Sequence, residues 1–264
     1  MANAGVRVRS VALPVEHGGW GLLFEPIVLG LLVAPSLVGL CVALGATGAF
    51  LTRHPFKLAA ADWRRDRKSS RGTLARRFGV LYVCVAAFAF LVAFRLADRN
   101  LFLPLLIAAP ITSVQLLYDY FGRSRSLVAE LAGSGSTGAV ATAIAIAGGW
   151  HYPAAFGLWL ILAARTVPTI LYVRARLRQL HRKSASPGLV IIVHLLAVLV
   201  GLEFARSGLI PFLAVGALVI LLARAVLGFS RHGKKVTAKE LGLRELGFGA
   251  MTVFATFIGH VVGL

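Results

Sequence analysis

The 264-residue chain is 58% hydrophobic and only 14% charged, with a mean hydropathy of +0.82 and a formal net charge of +18. A soluble domain carries about 25% charged residues, so this composition excludes an ordinary soluble globular protein and points to an integral membrane protein. The two cysteines, Cys41 and Cys84, both lie in apolar stretches and imply no disulfide framework.

Crossing a bilayer takes roughly 20 mostly apolar residues, and nine such stretches are predicted, at about 18–35, 37–55, 78–96, 101–119, 127–149, 153–173, 187–205, 209–228 and 245–263. The first is expected to be a span rather than a cleaved signal, because a second span follows almost at once with no small-residue cleavage site between them. Residues 1–264 then form a single polytopic domain, an all-α transmembrane bundle. Span five, "LVAELAGSGSTGAVATAIAIAGG", is rich in glycine, serine and alanine. Small residues let helix backbones approach closely where lipid gives no hydrophobic drive for association, which predicts a central place for this helix.

The 28 lysines and arginines are not spread evenly. Nearly all fall in the N-terminal arm or in the loops after spans two, four, six and eight, with Arg53 counted as the first base of the loop after span two. The opposite loops hold only Arg95, Arg99 and Arg206, and Arg165 and Arg224 fall within spans. Cytoplasmic loops carry the lysine and arginine excess, so the N-terminus is expected in the cytoplasm and the C-terminus outside. The basic residues read as topology signals facing anionic lipid, which argues against a nucleic-acid partner.

An ionisable group within a span is costly and is a functional hypothesis by default. At 1.5 Å rise per residue, Glu25 lies roughly 10 Å and Arg165 roughly 12 Å below the basic side, with His194 at a similar level. Glu130 and Arg224 are shallower; Glu16, His17, Asp62, Asp66 and Asp119 sit at the basic rim, and Glu203 and His260 near the opposite face. This gathering predicts a water-accessible pocket opening to the basic side. Glu25 and Arg165 read equally as an ion pair that fixes helix packing or as a lining of that pocket. His194 alone reads better as a hydrogen-bonded packing residue, and Arg224 as a side chain that snorkels to the interface with its stem in lipid. Arg174, Arg176 and Arg178 alternate by two, so they do not share one helical face, and some of them are expected to meet lipid phosphate.

The stretch "KLAAADWRRDRKSSRG" places Asp62 and Asp66 four residues apart, on one face of a helix end. Two such carboxylates could hold Mg²⁺ through oxygens, and that ion commonly bridges to phosphate. Local pairing with Arg65, Arg67 or Arg71 is the competing reading, and spacing alone favours it. In "PVEHGGW", Glu16 and His17 stand beside an interfacial Trp20, where they could contact a headgroup or cap the helix.

Together, "PVEHGGWGLLFEPIVLG", "RHPFKLAAADWRRDR", "GRSRSLVAELAGS" and "AKELGLRELGFG" resemble the YwiC-like family of bacterial membrane proteins over nearly the whole chain. That resemblance implies a bacterial cytoplasmic (inner) membrane but no particular chemistry. A more distant resemblance is to the UbiA superfamily of intramembrane prenyltransferases, carried by the nine spans, by "LLYDYFGRSRSLVAELAGSGSTGA" and by "LILAARTVPTILYVRARLR". It implies aspartate motifs after the second and sixth helices that bind Mg²⁺ and a prenyl pyrophosphate. Against the first motif, N-D-x-x-D-x-x-x-D, this chain keeps Asp62 and Asp66 but has Leu58 and Ala59 at the leading positions; at the second, Arg174, Arg176 and Arg178 replace the acids.

Arginine forks hold phosphate directly, so the resemblance implies binding of a phosphorylated isoprenoid or similar anionic amphiphile, with prenyl transfer left open. The residues it brings forward as ligand contacts are Glu16, His17, Glu25, Arg71, Asp119, Arg165, Arg174, Arg178 and His194, with Asp62 and Asp66 for the metal and no catalytic residue assigned. The alternative is a small transporter or a non-catalytic membrane interaction protein, with Glu203 and His260 continuing a polar path across the bilayer.

Overall fold

The computed structural model describes residues 8–14, 17–65, 69–230 and 237–264, leaving aside the side chains of His17 and Gly18. Among the described residues every regular element is helical: α1 Val8–Ala12, α2 His17–Val33, α3 Leu37–Arg64, α4 Ser70–Leu96, a 3₁₀ turn Arg99–Phe102, α5 Leu103–Tyr120, α6 Leu127–Ala147, α7 Tyr152–Leu180, α8 Pro187–Arg206, α9 Phe212–Ser230 and α10 Ala238–Val262. Eight of these, α3 to α10, are long and apolar enough to cross a membrane, and α2 contributes a shorter apolar helix, Gly19–Val33. This is the architecture of an integral membrane protein.

The helix starts follow from short-range chemistry. Ser36, Ser69 and Ser126 cap α3, α4 and α6 by accepting from the backbone N–H three residues on. Thr237 and Glu240 form a reciprocal capping box at the head of α10, and prolines stand in the first turn of α7 and α8, where their missing N–H is harmless.

Three helices run well past their apolar stretches. α3 continues to Arg64, α4 begins at Ser70 and α7 continues to Leu180, so the anticipated loops after spans two and six are mostly helix. Arginine, lysine and leucine are good helix formers, and hydropathy registers only the part in lipid. Arg53 is thereby corrected from a loop base to a residue inside α3.

α6 is the central helix, packing against α2, α3, α5 and α7. In its most apolar window 67% of residues are buried, against 50% or less for the other spans. Among the described residues the core has a cluster on α3, α4 and the 3₁₀ turn and another on α7 to α10, both including residues of α2 and α6, and a third, smaller one on α7 to α10 alone. Those two helices thus fill the middle of the bundle. Gly30 permits this closeness, since a Cβ there would lie 2.9 Å from the Cβ of Ile144.

Side-chain contacts bring the basic helix ends together. Arg64 lies over the Tyr120 ring, Arg174 bonds to Glu130 and to the Arg125 carbonyl, and Arg176 and Leu180 border the same cleft as Glu240 and Arg244. At the opposite end Trp150 meets His260 edge-on, with ring centroids 4.8 Å apart.

Candidate functional site

Four charged side chains from four helices meet inside the bundle. Arg165 of α7 pairs with Glu25 of α2 at 3.0 Å, with side chains only 5% and 9% exposed. The same guanidinium donates to the backbone carbonyl of Glu245 in α10 at 2.7 Å. The Glu245 carboxylate in turn receives Arg224 of α9 at 2.6 Å. Arg224 also donates to Thr169 Oγ1 at 3.3 Å and lies 4.1 Å above the Tyr172 ring. Two acids and two arginines balance, which is the condition for keeping charges within the apolar depth of a membrane.

Local sequence makes this meeting possible. Glycine at 249 lets α10 lie against the first pair, because a Cβ there would fall onto Glu25 Oε1 and an Arg165 nitrogen. Glu245 stands one turn before Gly249 on the same face.

Arg224 does not snorkel: its head group turns inward, onto Tyr172 and Glu245. Glu245 is the member that sequence reading missed. Its signal was an acid near the start of an apolar span, facing an arginine near the end of the preceding one.

Beside the inner pair, α7, α9 and α10 enclose a cleft of about 950 Å³. Arg224 and Glu245 line it together with Arg176, Arg244 and Glu240, and its apolar wall includes Leu227, Phe248 and Met251. Two polar atoms of the Arg224–Glu245 pair, Arg224 Nε and Glu245 Oε2, are buried without a hydrogen-bond partner. The cleft joins guanidinium groups to an apolar surface.

The other anticipated ligand contacts lie elsewhere. Asp119 is buried and accepts from Arg53 Nε and Nη2, an ion pair between α5 and α3. Arg174 pairs with Glu130 at 2.7 Å on a partly exposed surface, and Arg178 donates to the Ser184 carbonyl at 2.8 Å. Arg71 is exposed in the first turn of α4. His194 is buried, its Nδ1 2.8 Å from the Val190 carbonyl and its ring edge-on to Tyr172. Glu16 and the side chain of His17 lie outside the described residues.

Asp62 borders a second cleft, of about 610 Å³, with Ser69, Arg76 and Tyr120. Its Oδ2 accepts the Ser69 hydroxyl at 2.5 Å, so it ties the end of α3 to the cap of α4. Asp66, its expected partner for Mg²⁺, lies outside the described residues. Among those described, no group of three or more His, Cys, Asp or Glu side chains is placed to hold a metal.

Comparison with known proteins gives one match. No curated protein and no solved structure matches the chain. The family model described as YwiC-like protein matches residues 13–145. That stretch runs from before α2 nearly to the end of α6, so it includes Glu25, Asp62 and Asp119 but not Arg165, Arg224 or Glu245. With half of its length matched, the chain belongs to the YwiC-like protein family.

Proposed function

We propose that this YwiC-like protein binds an anionic amphiphile, such as a phosphorylated isoprenoid, in the cleft between α7, α9 and α10. The observation that carries the reading is the joining, in one space of about 950 Å³, of Arg176, Arg224 and Arg244 to an apolar wall with Leu227, Phe248 and Met251. Guanidinium forks suit phosphate, and the apolar wall suits a hydrocarbon tail. In this reading α2 is the ninth span of a single polytopic domain. Its 17 residues reach about 25 Å, at the short limit for crossing. The arginine-rich end then faces the cytoplasm, with the C-terminus outside, in a bacterial inner membrane. A UbiA-like arrangement would follow from the same topology.

Prenyl transfer is not part of the reading. The two carboxylates on the cleft are engaged, Glu240 in the cap of α10 and Glu245 in its ion pair. The test is binding of a radiolabelled polyprenyl phosphate to the purified full chain. Saturable binding that weakens several-fold in Arg244→Ala supports the reading; binding no stronger than that of the uncharged polyprenol refutes it.

Transport is the second reading, and one observation favours it. Glu245, Thr252 and Thr256 are buried along one side of α10, which ends near His260, whose Nε2 is buried without a partner. Glu203 does not extend this file, since it is 70% exposed and pairs loosely with Arg206. Solute or proton uptake by proteoliposomes that is lost in His260→Leu would establish transport.

A further inference from the structure

We infer that the second cleft, where the basic ends of α3, α4 and α5 meet, holds the headgroup of a phospholipid that carries a primary ammonium beside its phosphodiester. Two helix faces form its walls. Phe56, Ala59 and Trp63 recur along α3 at the spacing of one face, and Ser69, Gly72, Thr73 and Arg76 do the same at the head of α4. Asp62 and Arg76 both line the cleft, yet among the described residues neither has an ion-pair partner. Asp62 is half-exposed; its Oδ2 accepts the Ser69 hydroxyl, while Oδ1 receives no hydrogen bond and is not buried. Arg76 is exposed, and its guanidinium donates to no described residue. One open carboxylate oxygen and one unengaged guanidinium thus share a cleft of about 610 Å³.

These two charges select the headgroup. A phosphate alone suits Arg76 but brings like charge toward Asp62, which is unfavourable. A quaternary ammonium balances Asp62 but has no N–H for Oδ1, whereas a primary ammonium brings three. The order of the charges along α4 agrees. Arg76 lies seven residues after Ser69, about 10 Å farther along the helix, which in the proposed topology is toward the hydrocarbon. Asp62, tied to Ser69, stands at the outer end. In an aminophospholipid the ammonium is likewise the outer charge and the phosphate the inner one. Trp63 on the α3 wall is 78% exposed, as an interfacial anchor is. This site shares no lining residue with the cleft between α7, α9 and α10, and neither ligand assignment depends on the other.

The experiment uses the full chain in detergent micelles and displacement of an acyl-labelled fluorescent phosphatidylethanolamine by three unlabelled lipids. Phosphatidylethanolamine has both the phosphodiester and the primary ammonium, phosphatidylcholine has the same net charge but no N–H, and phosphatidylglycerol has the phosphodiester without an ammonium. The expected result is phosphatidylethanolamine about tenfold stronger than either of the others, the scale of one hydrogen bond to a charged group. Asp62→Asn should remove most of that preference, and Arg76→Ala should weaken tracer binding several-fold. Arg71→Ala, which removes an exposed arginine of α4 that does not line the cleft, should do neither. Equal displacement by the three lipids, or a stronger effect of phosphatidylglycerol, overturns the assignment, as does a loss in Arg71→Ala equal to that in Arg76→Ala. The comparison of the three lipids on the unsubstituted protein decides even where Asp62→Asn fails to fold.

Discussion

Arg165 and Glu245 are bound through the main chain of one and the side chain of the other, at 2.7 Å. This contact links two ion pairs that would otherwise be separate, Glu25–Arg165 and Arg224–Glu245. It fixes α7 against α10 where α2 and α9 also converge, and two of the four side chains, Arg224 and Glu245, also line the neighbouring cleft.

Removing one partner of the inner pair should be severe. Arg165→Met leaves the Glu25 carboxylate buried without its cation, and breaking a buried pair this way costs about 3–5 kcal/mol. Thermal unfolding of the detergent-solubilised chain should show a large drop. Combining Arg165→Met with Glu25→Gln should recover much of the loss, and a double variant no better than Arg165→Met would disprove the coupling.

Gly249→Ala tests the close approach of α10. Its Cβ would occupy the space of Glu25 Oε1 and the Arg165 guanidinium, and such overpacking costs about 1–3 kcal/mol, more than the helix-propensity gain from losing glycine. Gly247→Ala is the control in the same helix, because a Cβ there meets nothing within 4 Å. The first variant should melt earlier than the parent protein and the second should not.

The Arg53–Asp119 and Arg174–Glu130 pairs should behave differently. Asp119 is buried at 2% exposure, so Asp119→Ala removes the carboxylate from an Arg53 side chain that is only 20% exposed, at a cost of about 2–3 kcal/mol. The side chains of Arg174 and Glu130 are 37% and 35% exposed, and Glu130→Ala should change stability by about 1 kcal/mol or less. Parallel melting curves of the two variants check this ordering.

Binding of anionic lipid should fall with added salt, and the fall should be shallower in Arg244→Ala. Arg244 is exposed, so its attraction is screened over a Debye length of about 8–10 Å. Titration of a fluorescent anionic lipid at two ionic strengths measures both slopes.

Much of the architecture was legible because hydropathy reports directly on lipid contact. The glycine-rich composition of α6 announced its central packing, since small side chains are what close helix contact requires. The helix ends were less legible: α3 and α7 carry on into arginine-rich sequence that scores as loop on hydropathy but holds helical hydrogen bonds.

The site was read in part. Glu25 and Arg165 stood out as charges at similar depth. Glu245 did not, because a residue near a span boundary has no evident partner until the rotation of its helix is known. Arg224 was misplaced for the same reason: one sequence gives a residue's depth but not its azimuth, and azimuth decides between lipid and neighbour.

The long reach of α7 has a consequence for access. Its 29 residues extend about 43 Å, against about 30 Å of hydrocarbon, so the helix outruns the hydrocarbon, and in the proposed topology its arginine-rich last turns reach the headgroup layer. Arg176 and Leu180 sit on those turns at the edge of the cleft. On the proposed reading, a lipid already resident in the leaflet would bring its polar end to this edge of the cleft while its chains stay in the oil, and loading would need no soluble carrier.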